Sequence, residues 1–254
     1  MARHRGGAAP ARAGRTDAIV SDRLLVASLG RQPYAAVLEL QRRLCRERVE
    51  GLRTEDLLLL VEHDPVVTLG RGFRATSLPD GGAALRARGV DVVEVERGGD
   101  VTWHGPGQLV GYPIVHLSEH REDLHWYLRT LERALIDALR TLGVRAEARP
   151  GLTGVWAAGG KVASIGVHVK RWVTLHGFAL NVTTAPDAFD GMVPCGIDGV
   201  TMTSVARELG TADPRLWEAA HHAVTNALGR AFLRAPHDVP PASLAAAEPD
   251  AVSR

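Results

Sequence analysis

Residues 153–181 read TGVWAAGGKVASIGVHVKRWVTLHGFALN. Three runs rich in apolar and β-branched residues, Thr153–Trp156, Val162–Val169 and Val173–Asn181, are separated by Gly159-Gly160 and by Lys170–Trp172. Connections that short favour hairpins, so the stretch predicts three consecutive antiparallel strands. Upstream, Arg23–Ser28, Leu57–Glu62, Val66–Leu69, Asp91–Glu96, Val101–Trp103 and Leu109–His116 also read as strands. Helical periodicity marks three further segments. The first opens at Pro33 and sets Tyr34, Val37, Leu38, Leu44 and Cys45 on one face; the second runs from Leu124 to Leu142; the third starts at Pro214. The expected class is α/β: a single domain with a mixed, largely antiparallel sheet flanked by helices.

Both ends depart from this pattern. Residues 1–17 hold Ala, Gly, Arg and Pro without apolar periodicity and read as a disordered N-terminal tail. From Pro236 to Arg254, Pro and Ala recur without a core pattern, which predicts a loose C-terminal tail at 236–254 and places the domain at 18–235. Of the 254 residues, 45% are hydrophobic and 23% charged, the composition of an ordinary globular protein. No apolar run approaches the roughly 20 residues of a membrane helix, so no membrane role is expected. Thirty basic against 29 acidic residues leave a net charge of +1, which gives no field for nucleic acid. Two cysteines exclude a disulfide scaffold and suit a reducing, cytoplasmic setting. No HExxH or paired-cysteine spacing occurs, so no metal centre is expected.

Only two of the 30 basic residues are lysines, Lys161 and Lys170. Arginine keeps its proton in a protein, whereas a lysine gives it up when its surroundings lower its pKa. A lysine retained in so arginine-biased a chain is therefore a candidate for proton chemistry. Lys161 stands at the mouth of a strand, where the ordinary behaviour is to snorkel to water; the competing reading is a buried amine. Lys170, beside Arg171, reads as surface.

Two further stretches break the regular pattern. In Arg97-Gly98-Gly99-Asp100-Val101-Thr102-Trp103-His104-Gly105-Pro106-Gly107-Gln108, paired glycines let a ligand approach the backbone, and the arginine suits a carbonyl or anion. The same glycines also serve a plain hairpin. In Val193-Pro194-Cys195-Gly196, proline and glycine put Cys195 on a sharp bend, unlike Cys45 on its apolar helix face. A free thiol of pKa about 8.5 is only a few per cent thiolate at neutral pH, and a nearby ammonium raises that fraction. Lys161 is the candidate ammonium. His168 and His176 stand where they can flank a site or make structural hydrogen bonds.

RGGDVTWHGPGQLVGYPI, then RPGLTGVW with GGKVASIGVHVKRWVTLHGFALNV, then MVPCGI followed by GVTMTS, closely resemble the lipoyl(octanoyl) transferase family over roughly residues 22–234. The resemblance implies the fold shared with biotin and lipoate protein ligases. It implies octanoyl transfer from octanoyl-acyl carrier protein to a lysine of apo lipoyl domains, those of E2 subunits and the glycine-cleavage H protein. Cys195 falls on the family's acyl-thioester cysteine, and Lys161 on the lysine that lowers its pKa. Arg97 through His104, Ser164-Ile165-Gly166 and Gly177-Phe178-Ala179 fall on its substrate-binding segments. No cofactor is implied, and a monomer is the default. Val101, Trp103, Leu175 and Phe178 are expected to wall an acyl slot, while Arg145, Arg149 and Arg171 are expected either to dock acidic partners or to form generic surface. Two rival readings remain: an ATP-dependent lipoate or biotin ligase, and a non-catalytic acyl-binding module.

Overall fold

The computed structural model describes residues 22–196 and 199–245. The elements follow in the order β1 (Arg23–Gln32), α1 (Tyr34–Val49), β2 (Asp56–His63), β3 (Val66–Leu69), α2 (Ala83–Ala87), β4 (Asp91–Glu94), β5 (Val101–His104) and β6 (Gln108–Ile114). Then come α3 (Leu124–Thr141), β7 (Ala146–Arg149), β8 (Leu152–Ala157), β9 (Gly160–Lys170), β10 (Val173–Asn181), α4 (Val205–Leu209), α5 (Leu216–Phe232) and β11 (Ala235–Asp238). Eight strands form one mixed sheet in the order β11-β1-β2-β6-β10-β9-β8-β7. β8, β9 and β10 pair antiparallel, as their two short connections require.

The apolar run in β2 shows how the layers assemble. Leu57, Leu59 and Val61 face the cluster built on α1, whereas Leu58 and Leu60 face the cluster built on α3 and α5. A strand covered on both faces reads as a continuous apolar run, which is why the sequence there does not alternate. α3 starts where Asp123 caps it, its carboxylate accepting from the Trp126 N–H at 3.0 Å. Among the described residues no helix is long and apolar enough to cross a membrane.

Four features differ from the sequence reading, one of them β7, an edge strand without an apolar run that the sequence does not mark. A second, three-stranded sheet, β4-β3-β5, stands apart from the first and packs its own apolar cluster around Val67, Leu85 and Trp103. The segment expected to be loose from Pro236 instead adds β11 to the sheet, parallel to β1, and a following turn buries Leu244. All four β11 side chains are exposed, so this strand is held by its backbone bonds and carries no apolar signature. Pro236 is tolerated there because the strand is an edge. The short helices α2 and α4 hold too few residues for periodicity to reveal. Residues 1–17 and the last nine residues, 246–254, lie outside the described residues.

Candidate active site

A cavity of about 270 Å³ opens on the α1 face of the large sheet, roofed by β5 and the loop before it. The two glycine-containing stretches meet here. From the first, Arg97, Gly99, Asp100, Val101, Thr102 and His104 line the cavity. From the β9–β10 hairpin come Lys161, Ser164, Ile165, Gly166, Gly177, Phe178 and Ala179. Their contact depends on Gly166: a Cβ there would sit 3.0 Å from the Arg97 Cδ and 3.1 Å from the Gly98 carbonyl. The loop is stitched to the strand where the Gly98 N–H donates to the Val167 carbonyl at 2.9 Å.

Gly98 and Trp103 do not line the cavity. The pleat of β5 turns Thr102 and His104 toward it and Trp103 away, onto Phe189 with ring centroids 5.5 Å apart. Leu175, also expected as a wall, instead faces a separate groove. Arg97 is buried, and its guanidinium donates to the Thr68 carbonyl at 2.7 Å and the Thr68 hydroxyl at 2.9 Å. It thereby pins the loop to β3. Asp100 accepts from the Ser77 hydroxyl at 2.7 Å and from the Arg74 Nε at 3.2 Å.

The floor was not legible as a site. Tyr34 from α1 and Tyr112 from β6 lie buried with His63 and His104, the Tyr34 and His104 rings stacked with centroids 5.8 Å apart. His63 donates from Nδ1 to the Gln32 carbonyl at 3.0 Å, which leaves Nε2 to accept from the Tyr112 hydroxyl at 2.8 Å. Burial pushes His63 down to about 4 and holds His104 well below the ordinary histidine value, so both rings are neutral at pH 7. Burial likewise raises Tyr34 to about 12. His104 Nδ1 meets Gln108 Oε1 at 2.8 Å, Gln108 donates to Asn181 at 3.0 Å, and Asn181 donates to the Thr203 carbonyl at 2.9 Å. Periodicity placed Tyr34 on a buried helix face, and a buried face does not reveal whether it meets a core or a cavity.

Lys161 is 2% exposed, so it does not snorkel to water. Its amine donates to the Thr153 carbonyl at 3.1 Å and lies 5.0 Å from the centre of the Trp156 ring. Gly154 makes the room, since a Cβ there would lie 2.6 Å from the Lys161 Cε. The Lys161 backbone is clamped as well: its N–H donates to the Thr201 carbonyl at 2.9 Å, and its carbonyl accepts from Thr203 at 3.0 Å. The strand that bears Lys161 is therefore tied to the chain six residues beyond Cys195.

Pro194–Gly196 form a single 3-10 turn. The Val193 N–H donates to the Ser77 carbonyl at 2.9 Å, and the Gly196 carbonyl accepts from Arg74, the arginine paired with Asp100 at the cavity wall. The backbone of the cysteine turn is thus anchored beside the cavity. The Cys195 side chain and residues 197–198 lie outside the described residues. Cys45 sits in the apolar cluster under α1, where burial pushes its thiol up to about 11 and leaves it inert. Among the described residues no group of three or more His, Cys, Asp or Glu is arranged to hold a metal ion.

Residues 33–232 match the family described as the lipoyl protein ligase A/B catalytic domain. The chain belongs to this family. An octanoyltransferase of Geobacter sulfurreducens is 51% identical over 187 residues, 74% of this chain and 76% of its own length. One from Gloeobacter violaceus is 50% identical over 175 residues, 69% of this chain and 77% of its own. With such relatives the chain is an acyltransferase. Among solved structures, lipoate-protein ligase A bound with ATP superposes with a TM-score of 0.66 at 16% identity, covering 88% of this chain and 92% of that one. A bi-partite lipoate protein ligase from Thermoplasma acidophilum gives 0.61 at 18% identity, covering 89% and 90%. The fold is that of the lipoate protein ligases.

Proposed function

We propose that this protein takes an octanoyl group from octanoyl-acyl carrier protein onto Cys195 as a thioester and passes it to a lysine of a lipoyl domain, in the cytoplasm and as a monomer. The observation that carries the reading is the buried Lys161 amine at the cavity wall, on a strand tied to the segment that follows Cys195. The relatives' name supplies the acyl group. One structural neighbour is described together with its E2 lipoyl domain, which supports the acceptor.

Lys161 favours the Cys195 thiolate electrostatically. The thiolate attacks the donor thioester carbonyl; the bond to the carrier's sulfur breaks, and Lys161 gives that sulfur a proton. The acceptor amine then attacks the acyl-Cys195 carbonyl, neutral Lys161 takes the proton the amine loses, and the Cys195 thiolate leaves. Thioester to amide runs downhill, so no ATP is consumed. Burying six methylenes of the chain contributes roughly 5 kcal/mol, at about 0.8 kcal/mol each.

Intact-mass analysis after mixing with octanoyl-carrier protein tests the route. The expected result is one octanoyl adduct, lost to hydroxylamine and absent from Cys195→Ala. Transfer from free octanoate and ATP that survives Cys195→Ser would replace it with a ligase. Octanoate held without covalent attachment or turnover would leave only a binding module.

A further inference from the structure

The inner end of the cavity backs onto a second depression. His176 lines the cavity, while Glu96 and Arg42 line a groove of about 520 Å³ together with Leu175, Cys45 and Lys170. A thin partition separates the two. His176 Nε2 lies 3.7 Å from Glu96 Oε2, and Glu96 is gripped through both oxygens by Arg42, at 3.0 Å each.

His176 sits in β10 opposite Val167 but departs from regular strand geometry. Its backbone has φ +57 inside β10, a left-handed conformation that strains a non-glycine residue. It is 1% exposed, yet its Nε2 has no hydrogen-bond partner. The bend turns its N–H away from the strand ladder and onto the side-chain oxygen of Gln41 in α1, at 3.0 Å. A strained backbone tied to α1, carrying a buried ring at a cavity wall whose Nε2 lies 3.7 Å from Glu96, calls for a functional reading.

The direction of the cavity supplies it. Gly151, two residues before Thr153 and its bond to the Lys161 amine, is exposed at the cavity rim, whereas Tyr34, Tyr112 and His176 are buried. Thr153, whose carbonyl takes the amine, is on β8 and His176 is on β10, two strand steps away, roughly 10 Å at a spacing of about 4.8 Å. An acyl chain whose carbonyl lies by Lys161 therefore points its methyl end toward His176. An apolar end wall would be a weak ruler, since each further buried methylene improves binding about fourfold. A neutral ring backed by an ion pair is a firmer stop, because hydrocarbon pushed past it must strip water from charged groups.

We infer that His176, braced by Glu96 and Arg42, is the end wall that sets the longest acyl chain this enzyme accepts. The inference rests on the reading that the cavity holds the acyl chain with its carbonyl at Lys161. His176 is a specificity-determining residue for that reaction and takes no part in proton transfer.

His176→Gly removes the ring and suits the left-handed backbone; His176→Asn shortens the side chain and also tolerates that conformation. The measurement is kcat/KM for octanoyl-, decanoyl- and dodecanoyl-carrier protein. The expected result is a decanoyl-to-octanoyl ratio at least tenfold above wild type in the glycine variant, with a smaller rise in the asparagine variant. A second readout, independent of turnover, is thermal stabilisation by the free fatty acids: decanoate should overtake octanoate in His176→Gly only. Unchanged ratios in both variants, or the same fatty-acid order as wild type, would overturn the inference. A wild-type protein that neither transfers octanoyl groups nor binds octanoate would instead remove the acyl-cavity reading beneath it.

Discussion

Both lysines of the chain lie on β9, and its two ends treat them in opposite ways. Lys170 ends the strand in solvent, without an ion-pair partner among the described residues. Lys161 begins it at 2% exposure, its amine against a carbonyl and an indole ring and its backbone clamped on both sides. Bringing an amine out of water is expensive unless it is hydrogen-bonded. The contrast teaches that scarcity of a residue type raises a question which burial answers. Both lysines are equally rare, and only the buried one lines the cavity.

The sharpest way to break the contrast is Lys161→Arg. Charge is preserved, but arginine cannot release a proton at ordinary pH. If Lys161 relays protons, turnover should fall by about 10²–10⁴-fold, the usual scale for a general acid–base group. Single-turnover rates measured beside the melting temperature separate this from misfolding. Near-wild-type turnover in a folded variant would reduce Lys161 to a fixed charge.

Gly154→Ala acts on the same amine without touching it. The residue has φ +131, and a new Cβ would lie 2.6 Å from the Lys161 Cε and 2.7 Å from the Ala163 carbonyl. The side chain must move, and displacements of about 1 Å at a catalytic group cost up to about 10²-fold. We expect kcat to drop by roughly 10- to 100-fold, with a stability loss of about 1–3 kcal/mol from the strained backbone. A loss of stability alone, with kcat intact, would mean that the amine's position is not critical.

What was legible in the sequence follows from where a signal is carried by side chains. The β9–β10 hairpin could be read because its turn residues and β-branched runs are local, and β10 has the same bounds in sequence and structure. The glycine motif and the hairpin could each be singled out, but their meeting at Gly166 and Gly98 is a long-range contact with no local mark. β11 is held by backbone bonds with its side chains exposed, so it was invisible. The sequence places Trp103 on the acyl wall, and strand alternation turns it away. The sequence leaves His176 open between flanking a site and a structural hydrogen bond, since its left-handed backbone inside a strand is a property of the folded chain.

The smallest expected effect is at the other end of β9. Lys170→Gln removes one charge from an exposed strand end where no buried group is left unpaired, so stability should move by less than about 0.5 kcal/mol and the melting temperature by about 1–2 °C. At saturating donor, kcat should stay within about twofold of wild type. The charge acts only through a screened field, so any change should fall on KM for an acidic carrier and shrink as salt is raised. A tenfold loss of kcat, persisting at high salt, would place Lys170 in the chemistry. The opposition between the two ends of β9 would then rest on something other than burial.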